Sequence, residues 1–365
     1  MAAVRDGRLI EDVRCRAVEV PLLEPFAIAG GAPSAARNVF VRVALRDGTV
    51  GYGEAAPFEA VSGETQAGTL AAAEAAARLL PGRDVAQWRA LHAELRPRLA
   101  AAPAALCGIE QALFDALARH AGLPLVDLFG GRAGPLRTDV TIPAGDAEHA
   151  RRSARRAAAE GFATLKVKTG AAGWESDVAR LLAIRDAAPE AGLIVDANGG
   201  YTFDDARAFL AALDRAGVRL RLFEQPVPAD RPERLRDLEG EFGVPVCADE
   251  SVRSPADALR IAAMGGVSAL NVKLMKFGVV DALDVLAIAR SAGMTCMIGG
   301  MVETAASMSF SAALAEAMQP LCVYVDLDTP LFMPPGIIAG GLRYSGDAVT
   351  LPPAPGTGVD LEPWF

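Results

Sequence analysis

Seven chemically loaded positions recur along the second half of this chain, and their spacing constrains the fold more than any other feature. They are Lys168, Asp196, Glu224, Asp249, Lys273, the pair Gly299 and Gly300, and Asp326. The steps between them are 28, 28, 25, 24, 26 and 27 residues. Each closes a short apolar, β-rich run: ATLKVK, LIVDA, RLFE, VPVCAD, ALNVK, TCMIG and CVYVD. One strand, one helix and their loops fill such a step. RTDVTI, residues 137–142, is expected as the first strand, ending 26 residues before Lys168. In a (β/α)8 barrel functional groups sit at the C-terminal strand ends, so all of these would converge on one face. An open doubly wound sheet is the alternative, but no GxGxxG turn follows an early strand.

The first 130 residues lack this repeat. Residues 13–20 and 38–45 read as strands, and Asp47 followed by Gly48 signals a hairpin turn into a strand over 50–53. Helical patterns follow at roughly 64–80, 84–99 and 104–121. The expected organisation is α/β. An N-terminal α+β capping domain covers residues 1–130, with a C-terminal return over about 341–365. A modified (β/α)-barrel covers 131–340. Residues 342–351 are expected to return as a strand to the N-terminal domain, and the last residues to form a tail.

A chain of 365 residues with 52% apolar content can bury the core that such a barrel needs. Its net charge of −9 argues against a general nucleic-acid binder; the run RRSARR at 151–156 reads as a solvated helix face. There is no apolar leader and no stretch near the ~18 residues of a membrane span. The five cysteines make no CxxC pair and read as reduced, buried residues. The expectation is a cytoplasmic enzyme. Symmetric homo-oligomers are common in that class, but nothing in the sequence counts subunits.

Asp196, Glu224 and Asp249 would close three consecutive strands, which lie about 4.8 Å apart. Three carboxylates in one cleft repel each other, and a bound cation would relieve that. Oxygen ligands without His or Cys select a hard ion, Mg2+ first and Mn2+ as substitute. Lys166 and Lys168 flank Val167, so both point to one face of their strand, while Lys273 lies on a strand beyond the acids. Lysine is rarely buried unless paired or functional. Neighbouring cations would lower its pKa toward neutrality and make it a usable base. The competing reading is that these lysines simply pair with the acids. His92, His120 and His149 end no expected barrel strand, so acid/base work falls to lysine or carboxylate. Two lysines on opposite sides of a metal-bound carboxylate suit abstraction of the adjacent α-proton and its return to the other face. A Schiff-base aldolase is a rival class using the same lysines.

With its GYGEAAPFEAVSGET, KVK, DANGG, EQP, ADES, NVK and MIGGMVET segments, the chain resembles the enolase superfamily, in its muconate-lactonising-enzyme-like subgroup. The resemblance runs over nearly the whole chain. It implies Asp196, Glu224 and Asp249 as Mg2+ ligands, Lys168 and Lys273 as the acid/base pair, and Lys166 as an auxiliary lysine beside the enolate oxygen. It implies Asn198 and Glu250 around the metal ligands, and Gly299, Gly300 and Met301 against the substrate. At the eighth strand, Asp326 and Asp328 are similar to the DxD motif of dipeptide epimerases, where the pair holds the ammonium of an L,X-dipeptide. Two carboxylates two apart on a strand point one way, and an ammonium ion is their natural partner. The activity so implied is a 1,1-proton transfer through an enediolate, inverting the α-carbon of the C-terminal residue. Other reactions of the subgroup, including o-succinylbenzoate synthesis, N-acylamino-acid racemisation and cycloisomerisation, are the alternative. Two capping loops, residues 24–36 and 57–64, are expected to set specificity. Gly30 and Gly31 stand where Ala-Glu epimerases carry an arginine; the open readings are room for a larger, apolar side chain, Arg37 meeting an acidic substrate, Glu24 or Glu59 meeting a basic one, or a hinge for loop closure only.

Overall fold

The structure is a computed structural model that describes residues 6–23 and 34–365. Three antiparallel strands, β1 (Ile10–Pro21), β2 (Ala35–Leu45) and β3 (Val50–Ala55), form the N-terminal sheet in the order β1-β2-β3. The turn at Asp47 and Gly48 joins the last two, with Gly48 at φ +87°. The alternation in β2 decides what covers each face. Val41, Val43 and Leu45 pack beneath the helices Gln66–Ala77 and Pro103–Ala121, whereas Phe40 faces the other way. Gly53 permits the close seating of Pro103–Ala121 on β3. A Cβ there would come within 2.1 Å of the Gly108 carbonyl oxygen.

A short β4 (Leu136–Arg137) precedes eight strands: β5 (Val140–Ile142), β6 (Thr164–Lys168), β7 (Gly192–Asp196), β8 (Leu222–Glu224), β9 (Val246–Ala248), β10 (Ala269–Lys273), β11 (Thr295–Gly299) and β12 (Cys322–Val325). They pair in sequence order, each parallel to the next. The sheet is curled, and its two ends meet through single hydrogen bonds. Asp139 N–H donates to Val325 O at 2.9 Å, and Leu327 N–H to Thr138 Oγ1 at 2.9 Å.

Helices Phe203–Arg215 and Pro255–Met264 begin where their caps place them. Thr202 accepts from Asp205 N–H and Ser254 from Asp257 N–H. The first is not a reciprocal capping box, because the Asp205 carboxylate accepts from the Thr202 hydroxyl instead. Phe209, Leu210 and Leu213 are buried on the expected face. The five cysteines form no disulfide. Among the described residues no helix is long and apolar enough to cross a membrane.

Two expectations for the C-terminus need correction. The hairpin β14 (Arg343–Ser345) and β15 (Ala348–Thr350), which follows the two-residue β13 (Ala339–Gly340), pairs with β4 and not with the N-terminal sheet. The final residues are no tail. They include β16 (Val359–Asp360), paired with β13, and they cover the second face of the N-terminal sheet. Leu361 is fully buried with Val18, Phe40 and Tyr52, and Trp364 meets Phe40 edge to face at 5.4 Å. Residues 359–365 are a short run broken by Pro363, too short to carry a strand or helix period of its own, which is why sequence pattern alone misplaced the return. The expected helix at 84–99 is also shorter, a 3-10 turn Val85–Gln87 followed by Trp88–Leu95.

Candidate active site

The barrel's period-two alternation builds the site in layers. Ile194, Leu222, Cys247, Ala269 and Met297 point inward and plug the barrel, with Tyr324 against them. Two residues further along those strands come Asp196, Glu224, Asp249, Asn271, Gly299 and Asp326. Register holds Lys168, Asp196 and Glu224 level across three strands. Asp249 and Asp326 each follow the last residue of their strand.

All three expected lysines are buried: Lys166 is 1%, Lys168 7% and Lys273 5% exposed. Lys166 Nζ lies 2.6 Å from Asp326, 2.9 Å from Glu224 and 3.2 Å from Asp196. Lys168 Nζ donates to Asp196 Oδ2 at 2.6 Å, and Lys273 Nζ meets Asp249 Oδ2 at 2.6 Å. Gly299 makes room for the last of these, since a Cβ there would sit 3.3 Å from Lys273 Cε and 2.9 Å from Asn271 Oδ1. Asn198, at φ +45°, donates from Nδ2 to Glu250 at 3.0 Å and from its backbone to Asp196 at 2.9 Å.

Four functional neighbours escaped the sequence reading. Lys276 Nζ clamps Asp249 at 2.7 Å, and Asn271 Nδ2 donates to Glu224 Oε1 at 2.6 Å. Gln225, at φ +32°, accepts at Oε1 from the backbones of Asp249 (2.9 Å) and Ser251 (3.2 Å). Asp139 lies buried beside Asp326 and Asp328. Lys276, Asn271 and Gln225 stand within three residues of a marker that was seen, whereas Asp139 lies in the expected first strand, RTDVTI. Asn271 is two before Lys273 on one strand face, and that alternation was the available signal.

The electrostatics revise two arguments. Lysines already compensate the acids, so repulsion alone does not call for a cation. Burial would raise Asp196, but Lys168, Lys166 and Lys273 outweigh it and hold the carboxyl at about 2. Glu224 is pushed up to about 7 by burial and by Asp196. Lys166 and Lys273 are not drawn toward neutrality either. Burial would lower Lys166 and Lys273, yet the carboxylates around them hold both above the ordinary lysine value. What favours a hard cation is the donor set itself. It is all oxygen, with no His or Cys among Asp196, Glu224 and Asp249, and buried Glu224 Oε2 meets Lys166 Nζ at 2.9 Å as an ion pair without a well-formed hydrogen bond.

The tightest carboxylate group lies at the other end of the cavity. Oxygens of Asp139, Asp326 and Asp328 fall within 4.8 Å of one another. Asp328 accepts from Thr141 N–H at 2.5 Å, and burial together with Asp326 pushes it up to about 7. One cavity joins the two ends. Lys168, Lys273, Asn198, Glu250, Asp326 and Asp328 line it, with Gly300 and Met301. Its apolar walls are Phe58 and Val61 from the capping side, and Met301 and Val302 from the barrel. Residues 57–64 therefore contribute as expected, whereas Gly30 and Gly31 of the other loop lie outside the described residues.

An eight-stranded barrel carrying lysines and carboxylates at its strand ends, beneath an antiparallel capping domain, defines an enolase-type enzyme. The chain belongs to the mandelate racemase / muconate lactonizing enzyme family. Residues 10–130 match that family's N-terminal domain, and residues 149–364 match the enolase C-terminal domain-like family. It is similar to an aromatic dipeptide epimerase of Herpetosiphon aurantiacus, 48% identical over 352 residues that cover 96% of this chain and 99% of that one. A solved mandelate racemase/muconate lactonizing protein from Herpetosiphon aurantiacus superposes with a TM-score of 0.94 at 48% identity, covering 98% of this chain and 99% of that one. A dipeptide epimerase from Enterococcus faecalis, solved with Mg and L-Leu-L-Tyr, gives 0.92 at 34% identity, covering 96% and 99%. Like these relatives, the chain is an enzyme of the isomerase class.

Proposed function

We propose that this chain is a Mg2+-dependent dipeptide epimerase that inverts the α-carbon of the C-terminal residue of an L,X-dipeptide with an apolar or aromatic side chain. The observation that carries this reading is the single cavity in which Lys168 and Lys273 share walls with Asp326 and Asp328. Asp196, Glu224 and Asp249 would hold the ion. When bound, it would fix the substrate carboxylate and offset the negative charge that builds there as the α-proton leaves. Lys168 and Lys273 stand on strands separated by those of the three acids, so they can address opposite faces of one α-carbon. The lysine in its amine form takes the proton, and the opposite ammonium donates one. Lys166 lies between the metal-ligand carboxylates and Asp326 and keeps a positive charge beside the reacting carboxylate. Asp326 and Asp328 receive the substrate ammonium.

The substrate class follows from Phe58, Val61, Met301 and Val302. Among the described residues the cations that line the cavity are Lys168 and Lys273, which pair with Asp196 and Asp249, and no arginine stands with the apolar walls; the similarity to an aromatic dipeptide epimerase agrees. The test is mass spectrometry of L,L-dipeptide libraries incubated in D2O with Mg2+. One added mass unit on apolar or aromatic free dipeptides is expected. It should vanish with EDTA and return with Mg2+. Lys168→Ala and Lys273→Ala should each lower epimerisation by about 10²–10⁴-fold. N-acetylation of the dipeptide should abolish it. Labelling of N-acylamino acids but not of free dipeptides would overturn the reading.

A further inference from the structure

Asp139 has no part in the reaction as described, yet it is 2% exposed and sits against the amino-end pocket. It immediately precedes β5, two residues before Thr141, and its side chain reaches Asp326 and Asp328, carboxylate oxygens of the three lying within 4.8 Å of one another. Thr141 lines the cavity and Asp139 does not, so Asp139 stands behind the aspartates and not beside the substrate. Its backbone N–H is fixed to Val325 O at 2.9 Å, next to Asp326 in sequence. Neither side-chain oxygen is reached by a hydrogen-bond donor among the described residues. A buried carboxylate in that state is costly.

Its neighbours explain how it persists. Asp326 takes Lys166 at 2.6 Å, and Asp328 takes the Thr141 N–H at 2.5 Å. Among the described residues no cation forms an ion pair with Asp139, though the charge of Lys166 still reaches it. If all three were ionised, the substrate ammonium and Lys166 together would leave one uncompensated charge in a buried cluster. Burial and the Asp326 charge both push the Asp139 carboxyl well above the ordinary range, which favours its protonated form in a cluster that lacks one cation. A protonated carboxyl is a donor, and the acceptors nearby are Asp326 and Asp328; Asp328 already accepts from the Thr141 N–H, which leaves Asp326, beside the Val325 carbonyl that fixes the Asp139 backbone.

We propose that Asp139 is a positioning residue for the amino end of the substrate: its carboxylic acid donates to Asp326 from behind and holds that carboxylate toward the incoming ammonium. The inference rests on the dipeptide reading above. Asp139 acts through Asp326 and touches no reacting atom, so its loss should appear in KM and not in kcat.

The experiment uses the full chain with Mg2+ and compares L-Leu-L-Tyr with N-acetyl-L-Leu-L-Tyr. Asp139→Ala should raise KM for the free dipeptide about tenfold or more, the loss expected for one hydrogen bond to a charged group, while kcat changes little. Asp139→Leu, which fills the space but cannot donate, should behave the same way. Asp139→Asn keeps a donor toward Asp326 and should restore a KM near that of the wild type. Unchanged KM in a folded alanine or leucine variant would overturn the proposal. So would an asparagine variant as impaired as alanine, or a fall in kcat at constant KM. If the wild type does not prefer the free dipeptide over its acetylated form, the dipeptide reading itself has failed. That outcome is distinct from a preference that is present and insensitive to Asp139.

Discussion

Gln225 follows a metal-ligand candidate in sequence and organises a second one in space. Its backbone sits at φ +32°, where a side chain is strained, and its amide oxygen accepts from Asp249 and Ser251 N–H. Strain at such a position persists only where the surroundings hold it. Gln225→Ala leaves two buried N–H groups without an acceptor and should destabilise the protein by about 2 kcal/mol or more, at ~1–3 kcal/mol per group. Because one of those groups belongs to Asp249, the Mg2+ concentration giving half-maximal activity should also rise. Urea unfolding and a Mg2+ titration read the two effects. A stability loss with unchanged Mg2+ dependence would detach Gln225 from the site. At this scale the ends of the chemistry were readable because Lys168, Asp196 and Glu224 are charged residues closing apolar strands. Asn271, Gln225 and Lys276 were not, because their roles depend on which neighbour they face. Asp139 hid inside the expected strand RTDVTI, where a single acid looks like any solvent-facing residue.

Between elements, His92 shows how a surface-seeming helix residue becomes structural. It lies on Trp88–Leu95, with Nδ1 2.6 Å from Glu110 and Nε2 3.2 Å from Asp281, so it ties the helices Pro103–Ala121 and Gly278–Ser291 together. Glu110 also accepts from Val279 N–H at 2.6 Å, at the start of the second helix. Burial would lower the imidazole, but hydrogen bonds and charge from Asp281 and Glu110 win and raise it from 6.5 to about 9. The folded state therefore binds this proton more tightly than the unfolded chain does. Its contribution is complete below 6.5 and disappears as pH rises through about 9. The thermal midpoint of the wild type should exceed that of His92→Gln most at pH 6, and the gap should shrink by pH 9.5. A gap constant across that window would show that the tie does not depend on the proton. Element identity and order were largely legible, because helix and strand periods differ and caps such as Ser254 carry their own signal. The misplaced C-terminal return came from a segment whose partners, Phe40 and Val18, are hundreds of residues away, and no local pattern announces such a contact.

Over the whole molecule, the cavity exists only where the two domains meet, and Glu54 is the group that joins them there. It is the penultimate residue of β3, is fully buried, and accepts from Thr304 N–H at 3.0 Å, Thr304 Oγ1 at 2.7 Å, Ser307 N–H at 3.0 Å and Asn38 Nδ2 at 2.6 Å. A carboxylate of the capping domain thus caps the barrel helix Ala305–Ala317. Asn38 completes the clamp by donating to Val302 O at 2.9 Å, and Val302 lines the cavity. Glu54→Ala strands several buried donors and should cost about 3 kcal/mol or more. It should also raise KM, because the stretch from Gly300 to Thr304 loses its seat against the capping domain. Stability alone could mimic that result, so Leu361→Ala serves as the control. Leu361 is fully buried where the C-terminal segment covers the N-terminal sheet, and its truncation should cost about 2–5 kcal/mol. It does not line the cavity, so KM should hold at temperatures where the variant is folded. If both variants shift KM alike, the domains communicate with the site through overall stability. If Glu54→Ala alone shifts it, the buried carboxylate is the specific link by which the capping domain shapes the substrate pocket.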